Sequence, residues 1–364
     1  MSAGLADVIA AETVLSDVDG LAGRLVIRGY ALVELAGHWR FEAVAHLLLE
    51  GAFDNLPEVD AFTLLLGAAR LSVFRSLDPS LASLPLYDAV RAQLARLPDG
   101  DDLDTAVLLM AAPAVVLPAM LRLQAGKAAI APTPSDSHAA DMLAMLGEGV
   151  ADPARALALE TYLVTVIDHG LNASTFAARV VSSTEAGLMS AVLAAMGALK
   201  GPLHGGAPGP VLDMLDAVGT PANAEPWIAA ELAAGRRLMG FGHRIYRVRD
   251  PRADALKAAL VRLTASLGHD GASDRSRLEL ASAVETAALS ALATHKPDRP
   301  LATNVEFYTA LLLEAVGFPR DAFTSVFATG RVAGWLAHAR EQRLRGKLIR
   351  PRSLYVGPVP AEAA

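Results

Sequence analysis

The chain has 364 residues, 53% of them hydrophobic, enough to bury a sizeable core and to divide into two domains. A formal net charge of −7 excludes a general affinity for nucleic acid but leaves room for local basic clusters that receive an anionic ligand. The absence of cysteine excludes disulfides, thiolate nucleophiles and cysteine-ligated metal centres, so any chemistry rests on His, carboxylates, hydroxyls or a cofactor.

The opening MSAGLADVIAAETVLSD carries acidic residues early and lacks the basic start and long apolar stretch of a secretory signal, so the expected location is cytoplasmic. Ala and Leu abound, and Val, Ile or aromatic residues seldom alternate with polar ones, so the expected fold class is mainly α. The exception comes early, where Gly20, Gly23 and Gly29 bracket a strand-like run at 24–28 (RLVIR). A helix follows at 41–50, closed by Gly51. The longest apolar run, 106–121, is interrupted by Pro113 and Pro118 and falls short of the roughly 20 residues of a membrane helix. It predicts a kinked buried helix and no membrane association. The Pro/Ser/Asp stretch at 131–138 reads as a surface loop. Asp152-Pro153 starts a helix to about Val166, with Leu159, Tyr162, Leu163 and Val166 on one apolar face. The small-residue helix at 190–199 is expected at a tight interface, inside the chain or between subunits, and is halted by Gly201-Pro202. The longest helix near the end is expected at 323–345, with Trp335 and Leu336 on its apolar face.

Three segments concentrate Gly, His, Arg or isolated charge. In GPLHGGAP, His204 sits in a turn before a helix around 211–217. The partial positive charge of a helix N-terminus favours neutral imidazole, which can donate one hydrogen bond to a developing enolate oxygen. A loop histidine without a role has the same pattern. In LMGFGHRIYRVRDPR, His243 follows Gly240 and Gly242 and precedes Arg244, Arg247, Arg249 and Arg252. Glycines permit close backbone approach to a ligand, and arginines supply forked donors matched to carboxylate or phosphate. In TNVEFYT, Glu306 stands in apolar and aromatic surroundings that raise a carboxyl pKa, as suits a general base acting on a carbon acid. A partly exposed Glu at a helix start is the plainer alternative.

In DHGLNASTFAARV, Asp168 is placed to orient His169 and Asn172 to fix a polar ligand, unless His169 is simply a satisfied buried histidine. Arg331 and Arg350 are candidates for a second carboxylate, with surface charge as the alternative. No H-E-x-x-H, serine elbow or metal-ligand spacing is present, so metal hydrolysis and serine chemistry are not expected. The residues alone point to two or three His, one carboxylate and several Arg, suited to removing a proton next to a carbonyl of an anionic substrate.

Four ordered motifs, GPLHGGAP, MGFGHRIYRVRDPRA, NVEFYTALLLEAVG and RVAGWLAHAREQ with KLIRPRSLYVG, resemble successive signature segments of the citrate synthase and 2-methylcitrate synthase family. The similarity runs from about Glu12 to about Gly357. It implies a citrate synthase-like homodimer of helical subunits, each with a large domain (1–204 and 311–364) and a small domain (205–310) that closes over a cleft. It also implies that acetyl-CoA and oxaloacetate are the substrates, with propionyl-CoA the alternative donor, and that no metal or redox cofactor is needed. By similarity, His204 hydrogen-bonds the thioester oxygen, Glu306 removes the α-proton, and His243 polarises and protonates the ketone. His169, Asn172, Arg252 and Arg331 would hold oxaloacetate, with Arg350 reaching in from the other subunit and Arg247 contacting the CoA phosphates.

Two positions depart from the family pattern. NVE replaces the usual NVD, extending the carboxylate by roughly 1.5 Å, and Val166 stands where many members have an additional His. A non-catalytic homologue that binds acyl-CoA or a dicarboxylate is the competing class. The basic cluster Arg343, Arg345, Lys347, Arg350 and Arg352 is short and lacks interleaved aromatics, which argues against a nucleic-acid partner.

Overall fold

The computed structural model of the protein describes residues 8–147, 149–205, 208–243, 245–246, 248–267, 272–296 and 301–358. Strands β1 (Ser16–Asp19), β2 (Arg24–Ile27) and β3 (Tyr30–Ala31) form an antiparallel sheet in that order, with Ser16 opposite Ile27 and Asp19 opposite Arg24. β2 is the strand expected at 24–28. It stops one residue early because Arg28 turns the chain at φ +50° and sends its guanidinium to the carbonyls of Leu47 and Glu50.

Helices dominate the rest of the described chain. The first part comprises α1 (Leu32–Leu35), α2 (Phe41–Leu49), α3 (Val59–Arg75), α4 (Leu86–Leu94), α5 (Leu103–Gln124) and α6 (His138–Leu146). By length and composition α5 alone among the described helices could cross a membrane, yet 78% of its most apolar window is buried inside the protein, as in a core helix. The loop before α6 is at the surface only on its outer side. Beneath it, the buried Arg70 of α3 donates to the Asp136 carbonyl at 2.8 Å and pairs with Asp141 at 2.5 Å, and His138 is fully buried.

The second part comprises α7 (Pro153–Val166), α8 (Ala173–Ser182), α9 (Leu188–Leu199), α10 (Pro208–Val218), α11 (Ala224–Ala233), α12 (Pro251–Ser266), α13 (Ala272–His295), α14 (Val305–Val316) and α15 (Phe323–Arg345). Asp152 caps α7 by accepting from the Arg155 N–H at 2.9 Å, and Pro153 fits its first position, so this helix has the bounds that its punctuation predicts. The small-residue helix α9 is packed closely against α8 inside the chain.

The centre is α15, buried along most of its length and packed on α5, α7, α8 and α9. Gly330 and Gly334 allow that closeness. A Cβ at 330 would lie 2.5 Å from Val166 Cγ2, and one at 334 would lie 2.3 Å from the Ile167 carbonyl oxygen. The end of α7, with Asp168 and His169 after it, therefore rests directly on α15. Helices α12 and α14 pack on each other and both touch α7. Because α14 runs through position 310, the domain limit expected there falls inside a helix.

Candidate active site

The loop before α12 is stitched to the start of α14. The Gly242 N–H donates to the Ala302 carbonyl at 2.8 Å, the Asn304 N–H to Gly240 at 3.0 Å, and Asn304 Nδ2 to Gly242 at 2.8 Å. Gly240 and Gly242 adopt φ +84° and +80°, and a Cβ at 240 would lie 2.8 Å from Phe307 Cδ2. These glycines serve the approach of two protein segments, where the sequence pointed to approach of a ligand. Asn304 also caps α14, accepting from the Glu306 N–H at 3.1 Å, which fixes the backbone of Glu306 in the first turn. Asp250 ties the assembly together. It caps α12 through the Arg252 N–H (3.0 Å), holds the Arg252 guanidinium (2.8 Å) and accepts from the Val305 N–H (3.3 Å).

His243 Nδ1 accepts from the N–H groups of Ile245 and Tyr246, both at 3.1 Å, so its proton is on Nε2, 3.3 Å from Arg252 Nη2. Two donors facing each other favour a shared acceptor between them. His169, buried, lies edge-on to His243 with centroids 5.8 Å apart, its Nε2 3.1 Å from the Tyr246 hydroxyl. His204 Nε2 is 2.8 Å from Ser174 Oγ and accepts the Ser174 N–H at 3.4 Å, which leaves its own proton on Nδ1. Trp335 Nε1 donates to the same Ser174 hydroxyl at 3.1 Å and holds it in place.

Burial first, then the Arg331 and Arg252 charges, bring His204 down to about 4. Burial and Arg252, against the opposing pull of Asp250, do the same for His243, also to about 4. Burial and both arginines hold His169 well below the imidazole range. All three rings are therefore neutral at pH 7. The causes that act on His204 are burial and the two arginines, where the sequence pointed to a helix N-terminus.

Glu306 is half-buried, and its carboxylate accepts no hydrogen bond from the described residues. Burial pushes it up to about 7, against the pull of Arg252 and Arg331 and with the added push of Asp250. Arg331 is buried. Its Nε donates to the Val166 carbonyl, and its guanidinium lies 4.8 Å from the centre of the Phe327 ring. Its Nη2 has no partner among the described residues, and burial lowers the group to about 10, which leaves it cationic. A buried unpaired donor on a cation is costly and is satisfied by an incoming carboxylate.

The structure revises other expectations. The Asn172 amide, expected on the ligand, is saturated by capping α8: Oδ1 accepts from the N–H groups of Ser174 and Thr175, both 3.1 Å, and Nδ2 donates to Gly170 and Thr175. It thereby positions Ser174, the partner of His204. Asp168 does not orient His169. It accepts from His338 Nε2 at 3.2 Å, while His338 Nδ1 accepts from Arg179 Nε at 3.0 Å. Arg350 is exposed in the tail after α15 and makes no hydrogen bond or ion pair with the other described site residues. Arg247 lies outside the described residues. The sequence reading missed Ser174, Tyr246 and Asp250. Asp250-Pro251 is the same helix-start signal as Asp152-Pro153 and was masked by the arginines around it.

A family model described as "Citrate synthase, C-terminal domain" matches residues 4–352. A citrate synthase of Haloferax volcanii is 38% identical over 97% of this chain and 95% of its own length. A 2-methylcitrate synthase of Mycobacterium tuberculosis is 36% identical over 97% of this chain and 90% of its own. Among solved structures, the Thermoplasma acidophilum citrate synthase in ternary complex with carboxymethyl coenzyme A and oxaloacetate superposes with a TM-score of 0.85 at 29% identity, covering 100% of this chain and 98% of that one. With the family model spanning nearly the whole sequence and relatives this similar along their full length, the chain belongs to the citrate synthase family.

Proposed function

We propose that this citrate synthase-type enzyme condenses acetyl-CoA with oxaloacetate and water to give citrate and CoA. The observation that carries the reading is one raised carboxyl, Glu306, beside three neutral histidines and two buried arginines, one of which keeps a free nitrogen. Glu306 takes a proton from the thioester methyl group while the His204 Nδ1–H donates to the thioester oxygen on which charge develops. The enol carbon then attacks the ketone of oxaloacetate, whose oxygen receives the His243 Nε2 proton, replaced on the imidazole by the one that Glu306 took. Water cleaves the resulting thioester. Arg252, Arg331 and His169 hold the oxaloacetate carboxylates, and in a cytoplasmic homodimer the partner subunit's Arg350 would join them. Arg247 is assigned to the CoA phosphates. The reading requires no metal or redox cofactor.

The closing unit expected at 205–310 ends in this reading before α14, with the hinge at the start of that helix, because a hinge within it would break its backbone bonds. The likeness to a 2-methylcitrate synthase favours propionyl-CoA as a second donor, a difference of one methylene worth about 1–3 kcal/mol in a pocket. Initial-rate release of CoA with oxaloacetate and each donor tests both. Turnover is expected, falling by about a hundredfold or more in Glu306→Gln. No release with either donor overturns the proposal.

A further inference from the structure

Tyr162 lies on the face of α7 one turn before Val166, whose carbonyl holds Arg331. Its side chain is fully buried, and its hydroxyl, with the Thr309 side chain as a neighbour that can donate to it, has no acceptor for its own proton among the described residues. Burying a hydroxyl unsatisfied is unfavourable, and native proteins rarely leave one so unless something else engages it. Across from it, α14 packs on α7 and carries Glu306 in its first turn, a carboxylate that likewise accepts no hydrogen bond. Of the charges acting on the Tyr162 hydroxyl, Glu306 is the foremost, ahead of Arg331 and Arg252. Burial and that carboxylate keep the phenol protonated, so it can serve as a donor.

A glutamate base has one more rotatable bond than an aspartate, so the reach that brings its carboxylate forward also frees it to wander. We propose that Tyr162 is a positioning residue whose hydroxyl donates to the Glu306 carboxylate and holds it in line with the acyl-CoA carbon to be deprotonated. The inference rests on Glu306 being the base. It gives a role to a buried hydroxyl that the chemistry above leaves unused, and it explains how a longer carboxylate can be held where a shorter one would need no help.

The test is a cycle of Tyr162→Phe, Glu306→Asp and the double variant, with CoA release followed from pH 5.5 to 9. Tyr162→Phe should lower kcat about tenfold or more, as loss of a hydrogen bond to a charged group does. It should also move the acidic limb of kcat/KM to higher pH, because the carboxylate loses a donor that favours its ionised form. In the Glu306→Asp background, where the shorter carboxylate is withdrawn from the ring, Tyr162→Phe should change the rate by less than about twofold. An unchanged kcat and acidic limb, an equal loss in both backgrounds, or a raised KM for oxaloacetate as the sole effect would each overturn the inference. A Glu306→Gln variant that retains the parental rate would instead overturn the base assignment itself, and the two failures are thereby distinguished.

Discussion

Burial raises the Glu306 carboxyl from its ordinary value of 4.5 to about 7, and this has a consequence for stability as well as for catalysis. Between those two pH values the unfolded chain has released a proton that the native state still holds, so raising the pH favours unfolding. The associated stability is full below 4.5 and is lost as pH rises through 7. The gap corresponds to about 3 kcal/mol at alkaline pH. Glu306→Gln keeps the shape of the side chain and removes the ionisation, so it should recover most of this while sacrificing the base. For 364 residues an unfolding entropy of about 0.8 kcal/mol/K converts 3 kcal/mol into a rise of about 4 °C in melting temperature. Thermal melts followed by circular dichroism at pH 5 and pH 8.5 should show the gap between variant and parent opening by about 3 °C. A gap that is the same at both pH values, or a variant that melts lower at pH 8.5, would refute the argument that Glu306 carries a desolvated charge.

With His204 and His243 titrating near 4, the acidic limb of kcat/KM should be set by Glu306 alone and lie near pH 7, with activity lost as pH falls; a limb near 4 to 5 would exclude it as the base. Arg331→Lys should raise KM for oxaloacetate by about tenfold or more, since an ammonium cannot bond the Val166 carbonyl and present a fork to a carboxylate at once. Unchanged KM would place the substrate elsewhere. Gly334→Ala forces a methyl group to 2.3 Å from the Ile167 carbonyl oxygen and should cost about 1–3 kcal/mol of stability while weakening oxaloacetate binding through Asp168 and His169. Thermal melting and the oxaloacetate KM read the two effects separately.

The amino-acid sequence determined those features that depend on neighbours within a few residues. The bounds of α7 follow from Asp152-Pro153, those of α15 from its apolar periodicity, and β2 from the glycines around it. The ordered His, Arg and Glu motifs also sufficed to name the family. Tertiary structure alone decided what each side chain does. His204 is neutral because the fold buries it and then brings Arg331 and Arg252, from helices far along the chain, near it. Asp168 turned to His338, 170 residues away, and not to the adjacent His169. Asn172 was consumed by its own helix, and Gly240 and Gly242 by Phe307 and Leu301. Capping and periodicity are local and can be read along a chain. Desolvation and Coulomb interactions sum over whatever the fold brings close, so ionisation state and hydrogen-bond partner are fixed only when distant helices meet.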